Sequence, residues 1–269
     1  MSGIRIFVTG GSGFIGTHLC KCLRKVGHKV TNYDIANNKK DDIRILRRLC
    51  ERSKNHDVII HLAAISDINI SIKKPELTYN TNVKGTENVL NAAMINKIPK
   101  IIFASSAAVY DVKSSPYAQS KSQGEAILQD GLPNIDCIAL RLFNVYGRNG
   151  RSAICRFINA ALGNSCLTIY GSGYQSRDYI YIDDICDAFL KALKCKLSIC
   201  IDIGTGISLS VLDVARKVMK TLKKDLPIKH DYDKIGGTSH SIADIYPAVR
   251  YLDFAAKYHL EEGIRKMMK

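Results

Sequence analysis

Three observations predict an α/β fold: a doubly wound parallel sheet with a smaller, mainly helical C-terminal cap. Short Val/Ile-rich runs alternate with helix-length segments through the first half of the 269-residue chain, which is the pattern of βαβ crossovers. A Gly-rich turn follows the first run and opens a helix. After Gly147 the alternation loosens and helical patterns take over.

The first run, Ile4–Val8, leads through glycines into a helix marked by Phe14, Ile15, Leu19 and Leu23. A second strand is expected at Lys29–Asp34, a helix at Ile43–Arg52, and a strand at Asp57–Leu62 whose unbroken Val/Ile run suits burial on both faces. Glu76–Asn96 is expected as one long helix, Ile101–Ala104 as a strand, Tyr117–Gln129 as a helix and Ile135–Leu140 as a strand. Beyond Gly147 come a helix (Ile154–Leu162), a turn at Gly171-Ser172-Gly173, a strand (Tyr179–Ile182), a helix (Asp184–Lys194) and a strand (Ile199–Ile203). The tail from Ser210 is expected to be helical. This assigns residues 1–147 to a nucleotide-binding domain to which 178–203 returns, and 148–177 and 204–269 to the cap.

Composition narrows the class. A hydrophobic fraction of 46% and a charged fraction of 24% are globular values. No apolar stretch approaches the roughly 20 residues of a bilayer span, and the opening run is too short for a signal peptide, so a cytoplasmic protein is expected. The nine cysteines include no C-x-x-C pair, which predicts reduced core thiols and no metal site. The net charge of +14 comes from short basic pairs, not a long block. It reads as a solvated basic surface or a field for anions, and no nucleic-acid module accompanies it.

Val8-Thr9-Gly10-Gly11-Ser12-Gly13-Phe14-Ile15-Gly16 carries the chemistry of the first half. Gly11, Gly13 and Gly16 fit G-x-G-x-x-G, and Gly10, Gly13 and Gly16 fit its G-x-x-G-x-x-G variant. Such glycines let the backbone approach a pyrophosphate at the helix N-terminus. Asp34 closes the second predicted strand, where a carboxylate accepts the ribose hydroxyls and repels a 2′-phosphate. That pairing selects NAD over NADP; the bland alternative for Asp34 is a solvated loop acid. Asp42 and Ile43 are candidates to line the adenine. His61, closing a buried strand, reads as a hydrogen-bonded structural group.

Tyr117-Ala118-Gln119-Ser120-Lys121 is Y-x-x-x-K on a predicted helix, so phenol and ammonium share a face. An ordinary tyrosine has a pKa of about 10, and forming phenolate near neutrality costs roughly 4 kcal/mol. Lys121 and a positive nicotinamide ring are charges suited to supply it. Ser105 and Ser106 end the strand just upstream, and a hydroxyl there reaches a substrate alcohol or carbonyl. Its bland alternative is a turn cap.

TGGSGFIG, HLAA, NVKGT, SSAAVY, YAQSK, LRLFNVYG and RDYIYIDD occur in this order along the chain. They resemble the extended short-chain dehydrogenase/reductases, specifically the NAD-dependent epimerase/dehydratase family acting on nucleotide sugars and its UDP-galactose 4-epimerase-like members. The resemblance implies a Rossmann-type sheet, NAD as cofactor, a UDP-hexose as substrate and a homodimer formed through helices on one sheet face. It makes Tyr117 the acid/base, Lys121 its electrostatic partner and ribose ligand, and Ser106 the substrate-orienting hydroxyl. Gly10, Gly13, Phe14, Ile15, Gly16, Asp34, Asp42, Ile43, Leu62, Ala63, Ala64, Asn82, Tyr117 and Lys121 would line the cofactor, with Asn82 bracing the active-site helix. Asn144 and Arg177 would hold the substrate diphosphate, joined by Lys234 where relatives carry arginine before Gly-Asp.

Two departures accompany the resemblance. Only ten residues separate Ser106 from Tyr117, where 4-epimerases have a longer loop that shapes the sugar pocket. Ala107 and Ala108 stand where the dehydratases carry Asp-Glu and related decarboxylases carry Glu, so no carboxylate is present to eliminate water. The function expected is an NAD-dependent nucleotide-sugar 4-epimerase. The alternatives are an NAD(P)H-dependent 4-keto-sugar reductase and a non-catalytic NAD-binding regulatory module.

Overall fold

The computed structural model describes residues 3–129, 135–233 and 240–269. The chain divides into two units: residues 1–141 with 186–201, and residues 142–185 with 202–269. No helix of the described residues is long and apolar enough to cross a membrane. All nine cysteines carry free thiols.

In the first unit, β1 (Arg5–Thr9), α1 (Phe14–Lys25), β2 (Lys29–Tyr33), α2 (Leu46–Ser53) and β3 (Val58–His61) follow in order. Then come α3 (Ile68–Lys73), α4 (Pro75–Tyr79), α5 (Gly85–Ile95), β4 (Lys100–Ser106), α6 (Pro116–Gln129) and β5 (Asp136–Leu142). Residues 107–114 between β4 and α6 form 3-10 turns. After the second unit takes over, β6 (Asn144–Tyr146), α7 (Ala153–Leu162), β7 (Leu167–Tyr170) and β8 (Ser176–Tyr181) precede α8 (Ile182–Ala192) and β9 (Ile199–Ile203). The chain closes with β10 (Ser208–Ser210), α9 (Val211–Leu222), β11 (Ile228–Asp231), α10 (Tyr246–Leu252) and α11 (Leu260–Met267).

The main sheet has the order β2-β1-β3-β4-β5-β9, and its β1–β2, β1–β3 and β3–β4 pairs are parallel. Ile6, Phe7, Val8, Ile59 and Ile60 are wholly buried, as expected for strands covered on both faces. One core cluster gathers Phe7, Tyr33, Leu49, Val89, Ile101 and Phe103. Register decides where the functional ends meet. Thr9 pairs with both Tyr33 and His61, and His61 pairs with Phe103. Gly10, Asp34 and Leu62, which follow the last residues of β1, β2 and β3, therefore emerge along one edge, level with Ala104 of β4. The strand order reverses at β1 and β3, so the edge above them is the switch point where ligands of such sheets lie.

The predicted helix over 76–96 is broken in the structure. α4 ends at Tyr79, residues 80–84 form a wide π turn, and α5 begins at Gly85. The extra residue in that turn swings Asn82 and Val83 into the interior, where both are buried.

In the second unit, β8 pairs in parallel with β6 and antiparallel with β10, and β11 pairs in parallel with β7. Sequence reading returned residues 178–203 to the nucleotide-binding sheet and expected a mainly helical cap; residues 186–201 do group with the first unit, and β9 lies in its sheet. The structure places β8 in this separate three-stranded sheet, and adds β6, β7, β10 and β11. These strands are only three to six residues long, too short to display a period-2 signal.

Candidate active site

The Gly-rich turn joins β1 to α1. Gly10 has φ +72°, and a Cβ there would meet Ala63 N at 2.6 Å, so both conformation and space demand glycine. A Cβ on Gly16 would lie 2.3 Å from Gly10 O, which confirms close packing of the helix against the turn. Gly13 differs. It is exposed, and the nearest atom to a Cβ there is Gly10 O at 3.4 Å. Folding alone does not require glycine at that position. Gly13 is the N-cap of the 12-residue α1, no side chain caps that helix, and its first turn holds no acid. An uncapped N-terminus beside an open glycine fits a pyrophosphate.

Asp34 Oδ2 accepts the Ser12 N–H at 2.9 Å, and Oδ1 accepts the Ala36 N–H at 2.8 Å. The carboxylate is thereby fixed against the Gly-rich turn with further lone pairs to offer. Phe14, Ile15, Leu62, Ala63 and Ala64 are half-buried around the turn and the end of β3. Asp42 is paired with Arg44 at 2.6 Å, and that guanidinium holds its carboxyl below the usual range. Ile43 is 4% exposed and packs in the core against Gly85.

His61 stands at the middle of a buried chain. Thr86 Oγ1 donates its single proton to Asn82 O (2.6 Å), so His61 Nε2, 3.0 Å away, must be the donor to Thr86. Nδ1 is then the acceptor of the Thr9 hydroxyl at 2.7 Å. Burial, with the nearby Lys121 charge as a lesser cause, pulls the imidazole down to about 3. It is a neutral structural link, as the sequence predicts.

Asn82 continues the chain. Its Oδ1 accepts the Ile65 N–H at 2.8 Å, and its Nδ2 donates to Ile65 O at 3.0 Å and to Ser120 Oγ at 2.9 Å. Ser120 Oγ donates to Tyr117 O at 2.8 Å. The π turn thus ties the loop after β3 to α6.

On α6, the buried Tyr117 phenol lies near the Ser106 side chain at the end of β4. Burial pushes the phenol up from its ordinary value, and the Ser106 hydroxyl opposes this. Ser106 Oγ accepts the Ala108 N–H at 3.2 Å, so it caps the turn that follows β4. Lys121 is 4% exposed. Its Nζ donates to Ala104 O at 2.6 Å and lies 4.6 Å from the Phe103 ring centre and 6.0 Å from that of Tyr117. Burial pulls the ammonium down to about 7, against the charge of Glu125.

Asn144 and Arg177 belong to the second unit, where the fold brings them together. Asn144 of β6 is in register with Tyr179 of β8, two residues beyond Arg177. Arg177 donates to Ser176 O at 2.8 Å and is half-buried. Lys234 lies outside the described residues.

Sequence reasoning missed a clamp beneath Lys121. Glu125 is 6% exposed; its Oε1 accepts Ser105 Oγ and Arg141 Nε (2.9 Å), and its Oε2 accepts Arg141 Nη2 (2.8 Å). Arg141 Nη1 also donates to Tyr110 Oη at 3.0 Å. The spacing of four from Lys121 to Glu125 was the available signal.

A model of the NAD dependent epimerase/dehydratase family matches residues 6–199. Among curated relatives, UDP-N-acetyl-alpha-D-glucosaminuronate decarboxylase of Bacillus cytotoxicus is 32% identical, covering 98% of this chain and 97% of that one. The alignment runs over 313 positions against 269 residues here, so the relative carries internal insertions. Among solved structures, UDP-glucose 4-epimerase of Thermotoga maritima with UDP-glucose superposes with a TM-score of 0.90 at 26% identity, covering 98% of this chain and 97% of that one. A Tyr→Phe variant of UDP-glucuronic acid 4-epimerase from Bacillus cereus, bound to a fluorinated UDP-sugar and NAD, superposes with a TM-score of 0.88 at 28% identity, covering 98% of each chain.

Proposed function

The chain belongs to the NAD-dependent epimerase/dehydratase family, and from that premise we propose that it is a nucleotide-sugar 4-epimerase acting on a UDP-hexose. The observation that carries the reading is that Tyr117 and Lys121 share a face of α6, with the ammonium 6.0 Å from the phenol ring and Ser106 at the adjoining end of β4. Ala107 and Ala108, which follow Ser106, supply no carboxylate for dehydration or decarboxylation.

In this reading Ser106 orients the C4 hydroxyl and Tyr117, as phenolate, takes its proton. Bound NAD would supply reversible hydride transfer at C4. Gly10, Gly13, Phe14, Ile15 and Gly16 would cradle its pyrophosphate, Asp34 would take the adenine ribose, and Asp42, Ile43 and Leu62 to Ala64 would flank the nucleotide. Asn82 braces the helix that bears the acid/base pair. Asn144 and Arg177, with Lys234, retain the diphosphate while the 4-keto sugar turns over; an arginine fork suits that load. Tyr117 then returns the proton to the inverted hydroxyl. The enzyme works in the cytoplasm as a homodimer.

The test is incubation with UDP-glucose or UDP-galactose without added cofactor, followed by NMR at the sugar C4. Inversion with no net redox is expected. Consumption of NADH or NADPH by a 4-keto sugar, without inversion, would assign the site to a reductase.

A further inference from the structure

Tyr117, Lys121 and Glu125 recur every fourth residue on α6 and so form one stripe facing the end of β4. Lys121 is almost fully buried, a costly place for an ammonium. Its direct partners are the Ala104 carbonyl and the rings of Phe103 and Tyr117, none of which carries a full negative charge. Glu125 does, and it is equally buried. Arg141 grips both carboxylate oxygens as a fork while Ser105 holds one of them, a geometry that fixes orientation as well as charge.

We propose that Glu125 is a positioning residue for the acid/base centre: clamped by Ser105 and Arg141 one turn beyond Lys121, its carboxylate keeps the Lys121 ammonium charged beside Tyr117. This rests on the epimerase reading for what the ammonium is used for, and on geometry for how it is kept.

The groups that face this stripe come from several elements. His61 of β3 is held neutral by burial, so it adds no charge. Tyr117, on α6 itself, is pushed upward as a free phenol. Arg141 of β5 is shared between Glu125 and Tyr110. The Cys200 thiol of β9, which contacts Glu125 and Arg141, is pushed up to about 12 and stays protonated. Glu125 is the acid whose charge supports Lys121 against burial. Ser105, its anchor, immediately precedes Ser106, so the clamp also ties α6 to the strand end bearing the substrate-orienting hydroxyl.

The experiment reads Lys121 directly. Full-length protein labelled with 13Cε-lysine is titrated by NMR without cofactor or sugar, the Lys121 signal being assigned by its loss in Lys121→Met. Glu125→Gln should lower the Lys121 midpoint by about one to two pH units, the size expected for loss of a neighbouring buried charge at an effective dielectric of about 20. Glu125→Asp disturbs the same packing but keeps the charge, and should stay near the parent. Arg141→Gln removes the opposing cation and should raise the midpoint, which carries the test if Glu125→Gln does not fold. With NAD loaded, Glu125→Gln should lose about tenfold in kcat at pH 8 with KM changed less than about twofold. Equal midpoints in parent, Gln and Arg141→Gln proteins, or equal shifts in Gln and Asp, overturn the inference. Shifted midpoints in a protein that inverts no sugar would instead overturn the epimerase reading alone.

Discussion

The Asn82 side-chain amide donates to Ser120 Oγ across 2.9 Å, joining the π turn to the helix that carries Tyr117 and Lys121. The link has a cost if cut. Asn82→Ala strands the part-buried Ile65 N–H and carbonyl and takes one donor from Ser120 Oγ, which keeps its bond to Tyr117 O; each lost bond is worth about 1 kcal/mol. Loss of about 2–3 kcal/mol in urea unfolding is expected, with a lower kcat.

Tyr117→Phe keeps the ring and its packing and removes the proton carrier. Turnover should fall about a hundred- to ten-thousandfold, while the dissociation constant for NAD, measured by calorimetry, changes less than about threefold. Unchanged turnover would sink the mechanism.

Two glycines of one turn should respond oppositely to a methyl group. Gly13→Ala meets nothing closer than 3.4 Å at an extended φ of −69°, so thermal stability should be retained. NAD affinity should drop at least about tenfold if the pyrophosphate lies against that position, since one misplaced contact there costs roughly 1.4 kcal/mol or more. Gly16→Ala drives a Cβ to 2.3 Å from Gly10 O and should cost about 3 kcal/mol of folding stability. Melting and cofactor titration of both variants separate the two roles.

Lys121 gives the ligand-free protein a distinctive pH response. Its folded value is pulled from the ordinary 10.5 to about 7. Between those limits the unfolded chain holds a proton that the folded chain has released, so stability rises with pH from 7 to 10.5 and gains nothing more from this group above. Lys121→Met should flatten that rise in denaturant titrations across the window.

His61 acts in the same sense at lower pH. Folded, it titrates at about 3 instead of the ordinary 6.5. The unfolded imidazole therefore binds a proton first as pH falls, and stability drains away from 6.5 toward 3. His61→Asn should shallow the acid-unfolding profile over that interval, though at a cost in stability at pH 7.

The Gly-rich turn, Asp34 and Y-x-x-x-K were legible because each is a local pattern set by its neighbours in the chain. Glycines precede a helix, an acid ends a strand, and two side chains lie four apart on one helical face. The parallel sheet was legible for the same reason, since its buried strands are unbroken apolar runs. The interrupted helix at 80–84 was not. Asn82 looks helical in sequence, and only its bonds to Ile65 and Ser120 account for the wide turn.

Sequence by itself determined the fold class, the Gly-rich turn between β1 and α1 and the shared face of Tyr117 and Lys121 on α6, because these depend on contacts within a few residues of chain. Tertiary structure decided that Thr9, His61, Thr86 and Asn82 form one hydrogen-bonded chain, that Arg141 grips Glu125 below Lys121, and that β8 joins β6 and β10. Apart from the four-residue step from Asn82 to Thr86, those bonds link residues 16 to 52 positions apart, and the strands have three to six residues. A buried charge or polar group finds whichever partner folding brings within reach, and no local periodicity records that choice.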